Sequence, residues 1–415
     1  MEIGGILTYE GCNFFRQRLI LATLSGKPVR VKNIRGTSEE PGLKDYEASF
    51  IRLIDCISNG SRIEVNETGT AVLYKPGVLV GGHLEHSCPN QRGIGYFLEP
   101  LFMLAPFCKI PLNITMKGVT NNKLDPSVDM IRSTLLPVLK KFLVVDDGLS
   151  LKMIKRGLPP SGGGVVTFTC PVRRTLKPFQ WEESGKIKRI RGVAYTSRVT
   201  PTVANRMLDA AKGEFLKFLT DVYLTVDNAK GSSPGFGLCA VAETNMGSFM
   251  CAEAISNSPG EDAEAKLPED VGREAAWRLL EEIYRGGCVD TLSQSLVLLF
   301  MALAPKDVSK IVLGPIAPYT MHFLRHLRDF FQVTFKIDEY KEKNFSFSDE
   351  VSEARTGASK LLLTCIGVGY SNITNNGVIV TYCRIMCCIV LIWRYIPNNT
   401  VVPRLTKFQL PNYLP

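Results

Sequence analysis

Nine residues constrain this chain more than any others: Arg156-Gly157-Leu158-Pro159-Pro160-Ser161-Gly162-Gly163-Gly164 hold two prolines and four glycines. On either side, Leu151 to Lys155 and Val165 to Thr169 read as strands. Consecutive glycines permit positive φ and close backbone approach, and the prolines stiffen the entry. The segment is therefore a built turn, and two readings of it stay open. It is a hairpin connection, or it is an anion nest in which the N–H groups of Gly162, Gly163 and Gly164 converge on a phosphate while Lys155 and Arg156 supply positive charge.

Around this turn the chain repeats one theme. Phe15, Leu19 and Ala22 recur at helical spacing, Ser25-Gly26 supplies a stop, and Val29 to Ile34 reads as a strand. A second helix carries Phe50, Ile54 and Ile57, and a hairpin of Arg62 to Val65 and Ala71 to Tyr74 follows. Helix Ile94 to Ala105 with strand Leu112 to Lys117, then the stripe Ile131, Leu135, Val138 and Phe142 with the strands around the glycine turn, repeat the order. This recurrence predicts an α/β (α+β) fold whose helices cover one face of each small sheet. A basic run, Lys186-Ile187-Lys188-Arg189-Ile190-Arg191, opens a further segment; it suits phosphate contacts or a nuclear address, and equally the outer face of an edge strand. Trp277, Leu280 and Tyr284 lie on one helical stripe of a third large-domain unit, which ends in strand Leu361 to Val368.

The glycine turn fits the pattern Arg-Gly, two residues, Pro, one residue, Gly-Gly-Gly without a gap, and this resembles the signature of the RNA 3′-terminal phosphate cyclase family. Gly11 to Leu19, Pro234-Gly235-Phe236-Gly237, Glu281 to Gly287 and Leu313-Gly314-Pro315 resemble its noncatalytic, ribosome-biogenesis branch. The resemblance runs from about Tyr9 to about Ile373. It implies a large domain of repeated βαβαββ units with a smaller α/β domain inserted between the second and third. The expected boundaries are 1–183, an insert at 184–284, the third repeat at 285–374, and a divergent tail at 375–415. It also implies the partners: a ribosome-biogenesis GTPase, components of the small-subunit processome, and pre-rRNA, in the nucleus and nucleolus.

In true cyclases, the resemblance implies, a histidine near the start of the third-unit helix is adenylylated by ATP. Matching Phe330 to Phe335 with the family's strand entry puts Tyr319 at that position, and His322 lies nearly one helical turn away. The family's Glu-Gly-Gly-Gly-Gln is replaced by Tyr9-Glu10-Gly11-Cys12-Asn13. A phenol with no adjacent base is a poor nucleophile at neutral pH. The expectation is therefore a noncatalytic assembly factor. The alternatives are a metal-independent endonuclease using Arg325, Arg328, Asp329 and Lys336, and, weaker, a residual cyclase using His322. Phe14, Phe15 and Phe236 are candidates for base stacking, although aromatics at such spacings more often form core.

Charge agrees with an RNA partner: Lys and Arg total 49 against 40 for Asp and Glu, a net charge of +9. Met1 to Thr8 lacks the basic start and apolar core of a signal peptide, so the twelve cysteines are expected to be thiols. No cofactor and no metal site are expected, since the cysteines form no Cys-x-x-Cys pair and His322/His326 lack a zincin glutamate. Val378 to Ile396 is nearly apolar, but Arg384 and Arg394 interrupt it, so no membrane partner is expected. Removing the residues after Asn375 is expected to raise solubility and preserve the fold, as measured by sedimentation and thermal unfolding. Unfolding of the shortened chain would make the tail part of the core.

Overall fold

A computed structural model describes residues 2–3, 5–143, 147–258, 260, 264–340 and 357–372. The expectations for the tail at 375–415 and for most of the polar stretch from Tyr340 to Gly357 lie outside these residues.

The first repeat begins with β1 (Glu2–Ile3) and β2 (Ile6–Glu10), then α1 (Phe15–Ser25), β3 (Val29–Lys32), α2 (Asp45–Ile57), the short β4 (Ser58–Asn59), β5 (Arg62–Val65) and β6 (Val72–Lys75). Helix α1 stops because Gly26 adopts φ 71° and its N–H closes on the Ala22 carbonyl. Helix α2 starts where Glu47 reaches back to the Lys44 N–H at 3.0 Å. The second repeat comprises β7 (Val78–Leu79), β8 (Gly82–Ser87), α3 (Ile94–Leu104), β9 (Leu112–Gly118), α4 (Val128–Ser133), α5 (Leu135–Leu143), β10 (Ser150–Lys155) and β11 (Gly164–Cys170). Thus the glycine turn joins two antiparallel strands, and β11 lies between β10 and β9 in its sheet.

The third repeat is split. Strand β12 (Gln180–Trp181) pairs in parallel with β17 (Val308–Leu313), in a sheet completed by β18 (Lys336–Glu339) and β19 (Leu361–Ile366) and ordered β12-β17-β19-β18. Between β12 and β17 come β13 (Ile187–Ser197), α6 (Thr202–Phe215), β14 (Val222–Ala229), β15 (Gly235–Thr244), β16 (Phe249–Ile255) and α7 (Pro268–Arg285). The repeat then resumes with α8 (Gln294–Leu303), β17, α9 (Pro318–Phe331), β18 (Lys336–Glu339) and β19 (Leu361–Ile366). The insertion therefore sits inside the third βαβαββ unit, after its first strand, rather than between the second unit and the third. Helix α8 is buried along its whole length, as its run Leu296 to Leu303 requires.

The insert has its own core. Its sheet is ordered β14-β13-β15-β16, and α6 and α7 cover one face, packing Met207, Ala211, Phe215, Val271, Ala275 and Leu279 against Ile190, Leu224, Leu238 and Met250. Two expectations change here. Trp277 and Tyr284 are 57% and 60% exposed, because α7 buries the opposite stripe against the insert sheet instead of serving the third repeat. The basic run opens β13, an inner strand whose pairing with β14 begins only at Ile190, and there Arg189 pairs with Glu243 and Arg191 with Asp221. Truncating Phe215 or Leu279 to alanine should destabilise the insert by about 2–5 kcal/mol, whereas Trp277→Ala should cost no more than about 0.5 kcal/mol. Denaturant unfolding of the three variants checks this.

Candidate functional site

The glycine turn meets the insert, and Arg156 is the centre of that meeting. Its side chain is 4% exposed. Nη1 lies 2.5 Å from Asp129 and donates to Asn121 at 2.9 Å; Nη2 and Nε reach Asp227, on β14 of the insert, at 3.0 and 3.2 Å. The guanidinium lies 4.1 Å from the ring centre of Tyr195, whose hydroxyl donates to Glu253. Asn121 also donates to Glu253 at 2.7 Å. Burial opposes the charge on Arg156, but Asp129, Tyr195 and Asp227 outweigh it and hold the guanidinium protonated more firmly than usual. Burial, then the charge of Asp129, pushes the Glu253 carboxyl up.

The turn itself is closed by protein groups. Gly157 and Thr120 exchange hydrogen bonds, the Gly162 N–H donates to the Leu158 carbonyl, and the Ser161 N–H donates to Ser233 of the insert at 3.0 Å. Leu158 is buried with Tyr195 and Ile255 of the insert. Gly163 adopts φ +76°, a conformation that side chains rarely take, and a Cβ there would stand 2.8 Å from the exposed Ser232 Oγ. Gly164 pairs with Gly118 inside the sheet. These contacts bear on the anion-nest expectation. Arg156 is held by carboxylates of this chain, Gly162 and Gly164 are buried, and Lys155, Pro160, Ser161 and Gly163 face solvent. The arrangement is an interdomain joint.

The second place of interest is the seam between α1 and α9, where Tyr319 stands in the first turn of α9. Gln17 of α1 bridges it: Nε2 donates to the Tyr319 carbonyl at 3.1 Å, and Oε1 accepts from His326 Nδ1 at 2.9 Å. Phe14 stacks on His322, ring centres 4.2 Å apart, and Arg16 pairs with Glu99 at 2.9 Å. Phe14 is thus used inside the protein, and Phe15 is core. Burial, then the charge of Glu99, pushes the Tyr319 phenol up, so it stays protonated. Burial and the neighbouring Arg18, His322 and Arg325 push His326 down to about 3.

The endonuclease candidates do not converge. Arg325 and Arg328 lie on the exposed face of α9, beside a shallow 190 Å³ groove with Leu324, Val333 and Ile337. Asp329 turns the other way and accepts from the Tyr9 hydroxyl at 3.0 Å, while Lys336 pairs with Asp338 on its own strand. Among the described residues no group of three or more His, Cys, Asp or Glu side chains could hold a metal ion, and no helix is long and apolar enough to cross a membrane. Sequence reading did not find Asn121, Asp129, Tyr195, Asp227 and Glu253, which are dispersed polar residues without a motif; only the fold gathers them.

Comparison with known proteins agrees with this architecture. The profile described as RNA 3′-terminal phosphate cyclase matches residues 7–337. The chain belongs to this family. A mouse RNA 3′-terminal phosphate cyclase-like protein is 55% identical over 374 residues, covering 89% of this chain and 98% of that protein. A probable cyclase-like protein of Drosophila melanogaster is 51% identical over 379 residues, covering 90% and 98%. The rRNA processing protein rcl1 of Schizosaccharomyces pombe is 40% identical over 383 residues, covering 91% and 99%.

Within this cyclase family fold, Arg156→Ala should lower stability by about 3–5 kcal/mol, because it leaves the buried Asp129 with only the more distant, half-exposed Arg132. Urea unfolding measures it. His326 gives a pH dependence. Its pKa is lower folded than unfolded, so the unfolded chain binds more protons between about 3 and 6.5, and this contribution to stability is lost as pH falls through that window. Moving from pH 7 to pH 5 should cost about 2 kcal/mol through this residue, and His326→Gln should flatten the slope over that range.

Proposed function

We propose that this chain is a noncatalytic ribosome-biogenesis factor that acts in rRNA processing. In this reading it works in the nucleolus, within the small-subunit processome, for the early cleavages that yield small-subunit rRNA. It binds and activates a ribosome-biogenesis GTPase and contacts pre-rRNA. One observation carries the loss of cyclase chemistry: at the nucleophile position stands Tyr319, a phenol raised by burial, and Phe14 is packed on His322, nearly one turn along the same helix. The name of the fission-yeast relative supports the process. The endonuclease reading loses ground because Asp329, its acid or base, is tied to Tyr9.

Given ATP, metal ion and RNA ending in a 3′-phosphate, the purified chain should yield neither adenylylated protein nor cyclic phosphate, and Tyr319→His should not restore either. Depletion in cells should cause precursors of small-subunit rRNA to accumulate, and normal processing after complete depletion would overturn the proposal. For direct RNA contact at the glycine turn, the exposed Lys155 is the group to test. Lys155→Ala should reduce the salt slope of RNA binding by about one phosphate contact without changing stability.

A further inference from the structure

The insert sheet has an unprotected edge. Strand β14, Val222-Tyr223-Leu224-Thr225-Val226-Asp227-Asn228-Ala229, pairs only with β13 and leaves its other side without a strand among the described residues. The Ile190 N–H donates to the Asp221 carbonyl, which fixes the parallel register. Residues 223, 225 and 227 then bond to β13, and Leu224, Val226 and Asn228 turn their N–H and C=O groups outward. Several other edges carry protection. Strand β10 has Lys152, Lys155 and a break in register, β18 has Lys336, β5 has Arg62 and Glu64, and β16 lies against α7. Strand β14 has eight residues and no lysine, arginine or proline; its one acid, Asp227, is turned inward to Arg156.

Beside this edge lies a cleft of about 220 Å³ between α4 and the sheet face not covered by helices. Val193, Val241 and the buried Cys239 form its floor, Tyr223, 63% exposed, forms its rim, and Arg132 and Arg191 supply charge. Arg191 is matched by Asp221 at 2.8 Å. Arg132 is 45% exposed and comes no closer than 3.6 Å to Asp129, whose other oxygen is held by Arg156. The cleft thus offers apolar floor, one under-matched cation and an open backbone ladder along the same line. RNA is the poorer fit, since Arg191 is already matched by Asp221 and a row of outward amide and carbonyl groups complements a peptide backbone rather than a phosphate chain.

We infer that the β14 edge is a docking site for an extended acidic segment of a partner protein, which adds a strand to the insert sheet and places an apolar side chain and a carboxylate in the cleft beside Arg132. The inference does not depend on which partner brings the segment. The probe is a dye-labelled peptide, Thr-Val-Thr-Glu-Thr-Val-Thr-Glu, which presents valine and glutamate on one face of a strand, with a lysine-for-glutamate counterpart. On the full chain, the acidic peptide should bind and slow amide exchange at Leu224, Val226 and Asn228, and its counterpart should bind about tenfold more weakly. Arg132→Glu should reverse that preference. Val226→Pro, which removes an outward donor, should abolish binding; because proline at an edge also loosens a strand, Tyr223→Ala is measured beside it and should weaken binding about fivefold with no change in unfolding temperature. The inference is overturned if the peptide does not bind, if protection falls elsewhere, or if both variants bind normally. It is likewise overturned if a single-stranded RNA twelve-mer protects these amides while the peptide does not, or if the edge proves to be closed by a second copy of the chain.

Discussion

The ion pairs of Arg156 with Asp129 and Asp227 are the interaction on which the rest of the structure depends. Asp129 belongs to α4 and Asp227 to the insert, so one guanidinium spans the junction between the repeats and the domain inserted in them. A buried ion pair of this kind is a weak source of net stability, because desolvation offsets much of the attraction. Its contribution is to geometry. Once Asp129 and Asp227 are buried or half-buried, they tolerate only arrangements that keep the guanidinium between them. Tyr195 under the cation and Asn121 between Arg156 and Glu253 extend the same restriction into the β13–β16 sheet.

The glycines follow from that restriction. A turn that passes between Gly118-Val119-Thr120 on one side and Ser232-Ser233 on the other has no volume for side chains: a Cβ at Gly157 would lie 2.2 Å from the Gly164 nitrogen. The same close approach that suits a phosphate also suits another backbone, which is why the family signature alone left two readings open. At the α1–α9 seam the side chains are similarly engaged with one another. Gln17 ties Tyr319 to His326, and Arg16 to Glu99 fixes the helix entry beside them. The side chains at this seam are bonded to one another within the fold, and burial keeps the Tyr319 phenol protonated.

Much of the fold was legible in the sequence, and the reasons are local. Gly26 ends its own helix, and the stripes of α1, α2 and α5 bury the residues that their spacing selects. The βαβαββ order came from the resemblance and holds, but the place of the insertion depended on a two-residue strand, β12, whose partner β17 lies more than a hundred residues on. Helix α7 misled because both its faces carry apolar residues; Trp277 and Tyr284 are larger, yet the smaller Val271, Ala275 and Ala276 allow the close approach to α6. The candidate site was legible only in part. Tyr319 and the glycine turn stood out, whereas the carboxylates that claim Arg156 carry no local mark.

The most direct measurement of the central claim, that Arg156 is a structural tie across the insert junction, is a double-mutant cycle between Arg156→Met and Asp227→Asn. Urea unfolding gives the coupling, and RNA affinity against salt is recorded on the same four proteins. The account predicts a coupling of about 1–3 kcal/mol, with the salt slope of RNA binding unchanged by either substitution. Additive stabilities together with a shallower salt slope in Arg156→Met would contradict it.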